Sequence, residues 1–237
     1  MTVSVIIVAG GRGIRMGEPV RKQYLILQDR PILSHTLQIF TTNERCNHII
    51  LVVPPDDIEF CQTEILTRVD HAEKVKMVPG GVERQDSVFY GLEAVAEEGQ
   101  KGIVLIHDGV RPFVRENQIC DLIHCAEING ACILGVSAFD TLKKVDHQGR
   151  ICRTVDRSGI YLAQTPQAFQ YRVIKEAHDM ARRKNFLGTD DAYLVEQTGH
   201  EVFVINGTRD NIKITTQEDL RLAEAIITLA QQFSKPR

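Results

Sequence analysis

Short apolar runs alternate along the chain with segments of helical period. Runs rich in β-branched residues, with the length of buried strands, lie at 3–8, 48–53, 74–78, 103–106 and 131–136. Between them, apolar residues recur every three or four positions, as on one face of a helix, at 32–40, 84–96 and 118–128. Strands that are apolar on both faces and separated by helices predict an α/β fold with a mostly parallel sheet flanked by helices. Ligands of such sheets bind beyond the carboxyl ends of the strands, so functional residues are expected there.

The pattern changes near residue 140. Two short alternating runs at 141–145 and 150–155 flank the sequence DHQG, which predicts a β-hairpin. A two-stranded hairpin is barely stable alone, so this arm, about 139–157, is expected to pack on its own domain or on a second subunit. Helices are then predicted at 171–182, from 190, and at 217–231, and strands at 202–205 and 211–214. Because no repeat or linker interrupts the chain, we interpret 1–237 as a single domain.

Composition narrows the classes of partner and compartment. A net charge of -3 provides no general attraction for nucleic acid or an anionic membrane, so neither is an expected partner. No apolar stretch has the length of a membrane span, and the first apolar run lacks a basic leader and enters glycines, as a buried strand does. The 6 cysteines form no C-x-x-C pair, which favours free thiols in a reducing compartment and therefore a cytoplasmic protein.

The first candidate site is the glycine-rich turn AGGRGIRMG (9–17), which follows the first strand. Glycines at a strand end let the backbone approach a ligand and expose N–H groups to phosphate oxygens. The turn is not a P-loop, because Met16 and Gly17 stand where that motif has Gly-Lys, and the third glycine of a dinucleotide fingerprint is missing. Nearby cations, Arg15 and then Arg21 and Lys22, suit a triphosphate, although basic residues in a loop are more often simply solvated.

This turn and the KQY that follows at 22–24 resemble the signature loop of sugar-phosphate nucleotidylyltransferases, and more closely the 2-C-methyl-D-erythritol 4-phosphate cytidylyltransferase family. The resemblance runs through essentially the whole chain, with GGVERQDS (80–87), HDGVRP (107–112), DT (140–141), VDR (155–157), QTPQ (164–167), TDDA (189–192) and DNIK (210–213). Each of these motifs is weak evidence alone, but all of them together and in this order are highly specific for the family. Two departures are Arg21, where proline is common in the family, and Phe139, where a basic or small residue is more usual.

The resemblance implies a Rossmann-like nucleotidyltransferase with a protruding β-hairpin arm, and an activity. A cytidylyl group would pass from CTP to 2-C-methyl-D-erythritol 4-phosphate, with Mg²⁺ as cofactor and release of pyrophosphate, in the non-mevalonate isoprenoid pathway. It also implies a homodimer in which the arm reaches the partner's site. Such chemistry requires positioning and charge stabilisation more than a covalent intermediate.

The resemblance also implies roles for individual residues. Catalysis would involve Arg15, Lys22, Arg157 and Lys213. The nucleotide would contact Ala9, Gly10, Gly11, Gly80, Gly81, Arg84, Ser87, Asp108 and Gly109. The polyol phosphate would contact Arg111, Thr141, Arg157, Thr165, Thr189, Asp210 and Lys213.

Asp108 is also the candidate metal-side residue, because an acid beside a triphosphate is costly unless a cation such as Mg²⁺ bridges them. The alternative for Asp108 is an aspartate that caps a turn and pairs with Arg111.

Three alternative functions remain open from the sequence. Ribitol-5-phosphate cytidylyltransferase shares the loop and the TPQ tag, while VDR and TDDA look more like the methylerythritol family. An NAD-dependent oxidoreductase would use the glycine turn with Asp29 as its acid, but without the third glycine. A non-catalytic regulator would bind CTP and Mg²⁺ without turnover, and the presence of Arg15, Lys22 and Lys213 argues against it.

Overall fold

A computed structural model describes residues 1–11, 21–99 and 102–234 of the chain. In chain order the strands are β1 (Val3–Val8), β2 (Ile26–Leu27), β3 (Arg30–Pro31), β4 (His48–Val53), β5 (Val75–Pro79), β6 (Ile103–Asp108), β7 (Ala131–Ser137), β8 (Leu142–Val145), β9 (Ile151–Val155), β10 (Tyr161–Gln170) and β11 (Phe203–Asn206). The α-helices are α1 (Ile32–Thr41), α2 (Ile58–Phe60), α3 (Arg84–Glu97), α4 (Glu116–Asn129), α5 (Tyr171–Arg183), α6 (Asp191–Glu196) and α7 (Gln217–Ser234).

Seven strands form one central sheet in the order β11-β7-β10-β6-β1-β4-β5. The pairs β6–β1, β1–β4, β4–β5 and β11–β7 are parallel, whereas β10 runs antiparallel between β6 and β7. The predicted α/β class with a mostly parallel sheet is therefore confirmed. The carboxyl ends of β1, β4, β5 and β6 meet at one edge of the sheet, where ligands of such folds bind.

Most of the core lies in two apolar layers, one on each face of the sheet. Along β1, Val5 and Ile7 pack into one layer and Ile6 and Val8 into the other, as the two-residue period of a strand requires. Helices α1 and α4 cover the first layer, and α3, α5 and α6 cover the second. At Gly91 a Cβ would lie 2.6 Å from Ile6 Cγ2, so glycine there allows α3 to pack closely on β1. Burial of both faces explains the continuous apolar runs in the sequence.

The structure differs from the sequence prediction at two places, one predicted strand that is absent and one strand that was missed. The prediction of a strand at 211–214 is wrong, because this segment pairs with no strand in the described part of the chain; the Ile214 N–H donates to the carbonyl of Val110 at 3.0 Å. Strand β10 was not predicted, although it is the longest strand described. Its residues include Pro166 and three glutamines, and its pairing with β7 shifts register between Gln164 and Gln167. A proline and polar residues within a strand remove the usual alternating signal.

The predicted hairpin is present as β8 and β9, which form a two-stranded sheet apart from the central one. Nearly all of its residues are exposed. At its base, the Arg209 guanidinium lies 3.8 Å from the centroid of the Phe139 ring. Among the described helices, none has both the length and the apolar character needed to cross a membrane.

Candidate active site

Two adjoining cavities lie at the carboxyl edge of the parallel strands. The larger, about 710 Å³, is lined by the end of β1, residues 21–23, the turn after β5 and the start of α3. The smaller, about 320 Å³, is lined by the middle of β10, the segment before α6 and residues near the end of β6. Arg84, Asp108 and Lys213 line both cavities, so a ligand in one would contact the same charges as a ligand in the other.

Most of the predicted nucleotide-binding residues line the larger cavity. They are Ala9, Gly10, Gly11, Gly80, Gly81, Arg84, Ser87 and Asp108, and Lys22 lies among them. Gly109 does not line either cavity: its N–H donates to the Val8 carbonyl at 3.0 Å, and a Cβ there would meet Ala9 Cβ at 3.0 Å. Its small size therefore serves packing beneath the site. Arg15 lies outside the described residues.

The turn after β5 is fixed by hydrogen bonds to both neighbouring elements. Gly80 N–H donates to the Val53 carbonyl at 2.7 Å, and Gly81 N–H donates to Ser87 Oγ at 3.1 Å. A side chain at Gly81 would collide with Asp86, whose carboxylate accepts from Glu83 N–H and caps α3. The two glycines are therefore required for the turn to lie against the helix N-terminus, where backbone N–H groups suit an anion.

Lys22 reaches the larger cavity because the next residue anchors its segment. The Gln23 amide nitrogen donates to the Ala9 carbonyl at 2.6 Å, which ties residues 22–24 to the end of β1. A Cβ at Gly11 would lie 3.5 Å from Lys22 Cε, so the lysine side chain runs alongside this glycine. The sequence predicts no role for Gln23, although it lines the cavity and its buried amide oxygen has no hydrogen-bond partner among the described residues.

Asp108 is the centre of a cluster of cations. Its carboxylate contacts Lys213 Nζ at 3.0 Å, Arg111 Nε at 3.3 Å and Arg84 Nε at 3.3 Å. Burial alone would raise the pKa of Asp108, but Arg84, Lys213 and Arg111 hold it well below its usual range. The carboxylate is therefore ionised and holds three cations of like charge near one another. The pairing with Arg111, which was the alternative assignment for Asp108, is present in this cluster.

Arg84 joins this cluster to a second buried acid. Its Nη1 contacts Asp191 Oδ2 at 2.7 Å, and His178 Nε2 lies 3.1 Å from Asp191 Oδ1. Burial raises the pKa of Asp191, but Arg84 and the contact with His178 lower it further, so the net shift is downward. Asp191 was part of the TDDA tag without a predicted role, and His178 carried no sequence signal. Asp191 contacts the Arg84 guanidinium directly, and His178 contacts Asp191 on its other oxygen.

The smaller cavity contains four of the predicted substrate residues, Arg111, Thr165, Thr189 and Lys213. It also contains polar residues that had no predicted role, namely Gln164, Gln167 and Asp190. Asp190 caps α6 by accepting from Tyr193 N–H at 2.9 Å and accepts from the Gln167 amide at 2.8 Å. The cavity thus combines cations with neutral and anionic acceptors, as a ligand with both a phosphate and hydroxyl groups requires.

Three predicted substrate residues lie outside both cavities of the chain. Thr141 and Arg157 are exposed at the base of the arm, where the Arg157 guanidinium donates to the Phe139 carbonyl. Asp210 pairs with Arg115 at 2.8 Å, with about half of each side chain exposed. Within a single chain the structure does not bring these residues to the site.

Asp108 is the described residue that best fits a magnesium ion. The described residues include no group of three or more His, Cys, Asp or Glu side chains that could hold a metal. Mg²⁺ is commonly held by one or two carboxylates together with substrate phosphates, and one ionised carboxylate facing the larger cavity fits that pattern. Since both Asp108 oxygens contact cations, a metal ligand role would require one of these contacts to yield.

Comparison with known proteins identifies one enzyme family that this chain resembles over nearly its whole length. The family model for 2-C-methyl-D-erythritol 4-phosphate cytidylyltransferase matches residues 3–229. A relative of that name from Geobacter metallireducens is 45% identical, and the alignment covers 96% of this chain and 98% of the relative. A second relative of the same name, from Syntrophotalea carbinolica, is also 45% identical, and the alignment covers 98% of this chain and 99% of that relative. The crystal structure of a 4-diphosphocytidyl-2C-methyl-D-erythritol synthase from Anaerococcus prevotii aligns with a TM-score of 0.84 and 35% identity over 96% of each chain.

Proposed function

Because the chain belongs to the 2-C-methyl-D-erythritol 4-phosphate cytidylyltransferase family, we propose that its two cavities bind the two substrates of that reaction. The chain is a nucleotidyltransferase that transfers a cytidylyl group from CTP to 2-C-methyl-D-erythritol 4-phosphate in isoprenoid precursor synthesis. The products are 4-diphosphocytidyl-2-C-methyl-D-erythritol and pyrophosphate. In the proposed arrangement, the larger cavity receives CTP and the smaller one receives the polyol phosphate.

The observation that carries this proposal is the shared cation cluster. Arg84, Arg111 and Lys213 surround one carboxylate where the two cavities meet. Attack of a phosphate oxygen on the α-phosphorus of CTP brings two anions together, and their repulsion must be offset at the point of contact. Fixed cations in a partly dry site provide that stabilisation without reorganising during the reaction.

In the larger cavity, the turn at Gly80 and Gly81 accommodates the base, and the end of β1 with Lys22 accommodates the phosphates. Lys22 stabilises the charge that develops on the departing pyrophosphate, and Arg15 has the same proposed role. Asp108 would hold Mg²⁺ together with the phosphate oxygens of CTP, and the bound ion would supply further neutralisation of the triphosphate. The cavity lining supports the roles of Gly80, Gly81 and Lys22, and the ionised state of Asp108 supports its role.

In the smaller cavity, Lys213 and Arg111 bind the phosphate of the polyol, since both contact the shared carboxylate and line this cavity. Arginine and lysine are the usual phosphate ligands of proteins. Thr165 and Thr189 contact the polyol portion.

We also propose a homodimer in which the arm completes the partner's site. The arm and its base expose large apolar side chains, with Val145 51%, Ile151 63% and Phe139 48% exposed. A hairpin with such a surface is stabilised when a second subunit covers it. Thr141 and Arg157 would then contribute to the cavity of the partner subunit, and Asp210 would contact the polyol once its pairing with Arg115 yields. The six cysteines are free thiols, which supports a cytoplasmic location.

A substrate panel tests the proposal. Pyrophosphate release is measured with ATP, GTP, UTP or CTP against 2-C-methyl-D-erythritol 4-phosphate and ribitol 5-phosphate, with and without Mg²⁺. We expect turnover only with CTP, the methylerythritol substrate and the metal together. Preference for ribitol 5-phosphate would overturn the substrate assignment, and turnover unaffected by chelation would remove the metal from the mechanism.

A further inference from the structure

A buried hydrogen-bond chain runs from the end of β6 into the smaller cavity. Asp108 N–H donates to Thr165 Oγ1 at 3.1 Å, Thr165 Oγ1 lies 3.0 Å from His107 Nδ1, and His107 Nε2 lies 3.0 Å from the Arg111 carbonyl oxygen. His107 is fully buried and Thr165 is 6% exposed. His107 lines neither cavity, and within the described residues its ring nitrogens bond only to these two partners.

The donor and acceptor of each of these hydrogen bonds follow from the groups at the two ends of the series. The Arg111 carbonyl can only accept, so His107 Nε2 must carry a proton and donate it. His107 is fully buried, and among the described residues its ring nitrogens contact the Arg111 carbonyl and the Thr165 hydroxyl but no carboxylate. Because a buried charge without an ionic partner is costly, the ring is neutral and carries one proton. His107 Nδ1 is therefore an acceptor, and the Thr165 hydroxyl donates to it. The same oxygen accepts from the backbone of Asp108.

Thr165 is thereby left with one free lone pair and no free proton. A hydroxyl has one donor and two acceptor positions, and His107 and Asp108 N–H occupy the donor and one acceptor. Near pH 7 a phosphate in contact with arginine and lysine is ionised and offers acceptors only. It would repel the remaining lone pair, whereas a hydroxyl of the ligand can donate to it.

We infer that His107 fixes Thr165 as a hydrogen-bond acceptor, and that Thr165 thereby selects a hydroxyl group of the polyol phosphate and turns its phosphate toward the cations. This inference rests on the proposed binding of the polyol phosphate in the smaller cavity. Thr165 then determines specificity by contact, and His107 is a positioning residue that acts through it. Lys213 and Arg111 provide the donors that the phosphate requires. The phosphate end of the substrate is therefore bound by donors, and the polyol end is bound by an acceptor.

Single-position analogues of the substrate test the inference. The kcat/KM with CTP is compared for 2-C-methyl-D-erythritol 4-phosphate and for analogues in which one hydroxyl at a time is replaced by hydrogen or by fluorine. In the parent protein, one position should lose about tenfold with both replacements, since neither can donate. In Thr165→Val, that loss should shrink to about twofold or less, while losses at other positions persist. Thr165→Ser keeps the hydroxyl and should keep the parent pattern.

Two histidine variants separate positioning from a structural role. In His107→Asn the amide oxygen can take the place of Nδ1 as acceptor, so the parent discrimination should persist. In His107→Gln the amide reaches the Arg111 carbonyl instead, the Thr165 proton is released, and discrimination at the selected position should relax. Circular dichroism and thermal melting establish that each variant is folded, and if a histidine variant is unfolded the Thr165 pair decides the result.

Two results would overturn the inference. The first is full activity of the fluoro analogue at the position coupled to Thr165. The second is a Thr165→Val variant in which the loss at every position equals the loss in the parent protein. Lack of turnover with the unmodified substrate in the parent protein would instead overturn the proposed function, and the inference with it.

Discussion

Replacement of Asp191 by asparagine is the sharpest test of how the cation cluster is held. Asp191 contacts Arg84 Nη1 at 2.7 Å and His178 Nε2 at 3.1 Å, and its side chain is 1% exposed. The amide has nearly the same shape as the carboxylate and can still bond to the imidazole. Asp191→Asn therefore removes one negative charge behind Arg84 and changes little else.

The expected cost follows from the burial of the pair. Removing one partner of a buried ion pair typically costs about 3–5 kcal/mol of stability, because the other charge remains buried. Arg84 keeps Asp108 at 3.3 Å and its side chain is 31% exposed, so the lower end of that range applies. About 3 kcal/mol corresponds to a fall in Tm of about 6–12 °C for a chain of this size. Because Arg84 lines both cavities, its lost support should also lower kcat/KM for CTP by about 10- to 100-fold.

The measurement is a thermal melt at pH 7 combined with steady-state kinetics, and Glu97→Gln is the matched control. Glu97 also pairs with a cation, Lys76 at 3.6 Å, but its side chain is 73% exposed. Exposed ion pairs are worth about 0–1 kcal/mol, so the same change from acid to amide should shift Tm by at most about 4 °C and leave kcat/KM unchanged.

The pH dependence of the Tm difference between the parent and Asp191→Asn provides an independent check of the same ion pair. The pKa of Asp191 is lowered in the folded protein, so its stabilisation is present above the unfolded value of about 3.9 and is lost as pH falls below it. The Tm difference between the parent and Asp191→Asn should therefore be constant from pH 7 to about 5 and shrink below about pH 4. The control Glu97→Gln should have nearly the same Tm as the parent at pH 7. If Asp191→Asn also had the Tm of the parent, Arg84 would not depend on this acid and the reasoning would be refuted.

Three further predictions concern Lys22 in the proposed phosphate site, the buried imidazole and the arm. Lys22→Ala should lower kcat by about 10²–10³-fold with an unchanged Tm, and near-normal turnover would remove Lys22 from the catalytic set. Burial lowers the pKa of His107 to about 4 in the folded protein, whereas its unfolded value is about 6.5, so the unfolded chain is protonated first as the pH falls. The free energy of unfolding should therefore decrease by roughly 3 kcal/mol between pH 6.5 and 4. Urea titrations across this range should show that decrease in the parent protein and not in His107→Asn. Ile151→Asp, at a position 63% exposed on the arm, should shift the protein to monomer in analytical ultracentrifugation and reduce turnover; an unchanged, active dimer would contradict the proposed role of the arm.

The parallel part of the sheet was predictable because burial on both faces leaves a continuous apolar run. Strands β1 and β4 begin and end where the sequence predicts, and α3 and α4 differ from prediction by one or two residues at their ends. The hairpin was predictable from its turn and alternation. These are local signals, since each depends on residues within one element.

The site was predictable only in part, because its contacts join residues far apart in the chain. The glycine turns, Arg84 and Asp108 stand at strand or helix ends, where position alone makes them candidates. The partner of Arg84, Asp191, is 107 positions away, and His178 lies within a helix whose pattern gives no indication of a polar contact. Gly109 shows the opposite case, since a glycine within a site tag serves packing against Ala9.

The strand that the sequence did not predict is also the one that builds the smaller cavity. Gln164 and Gln167 obscure the strand pattern of β10, and the structure uses both amides to hold other segments: Gln164 donates to the Thr208 carbonyl and Gln167 to Asp190. The shift of register between these two glutamines brings Thr165 to the backbone of Asp108. A regular, apolar strand at this position would be easier to recognise, but it would present no polar group to the cavity. The local irregularity and the binding chemistry therefore have one cause, since functional sites are where a sequence departs from the rules that its fold otherwise follows.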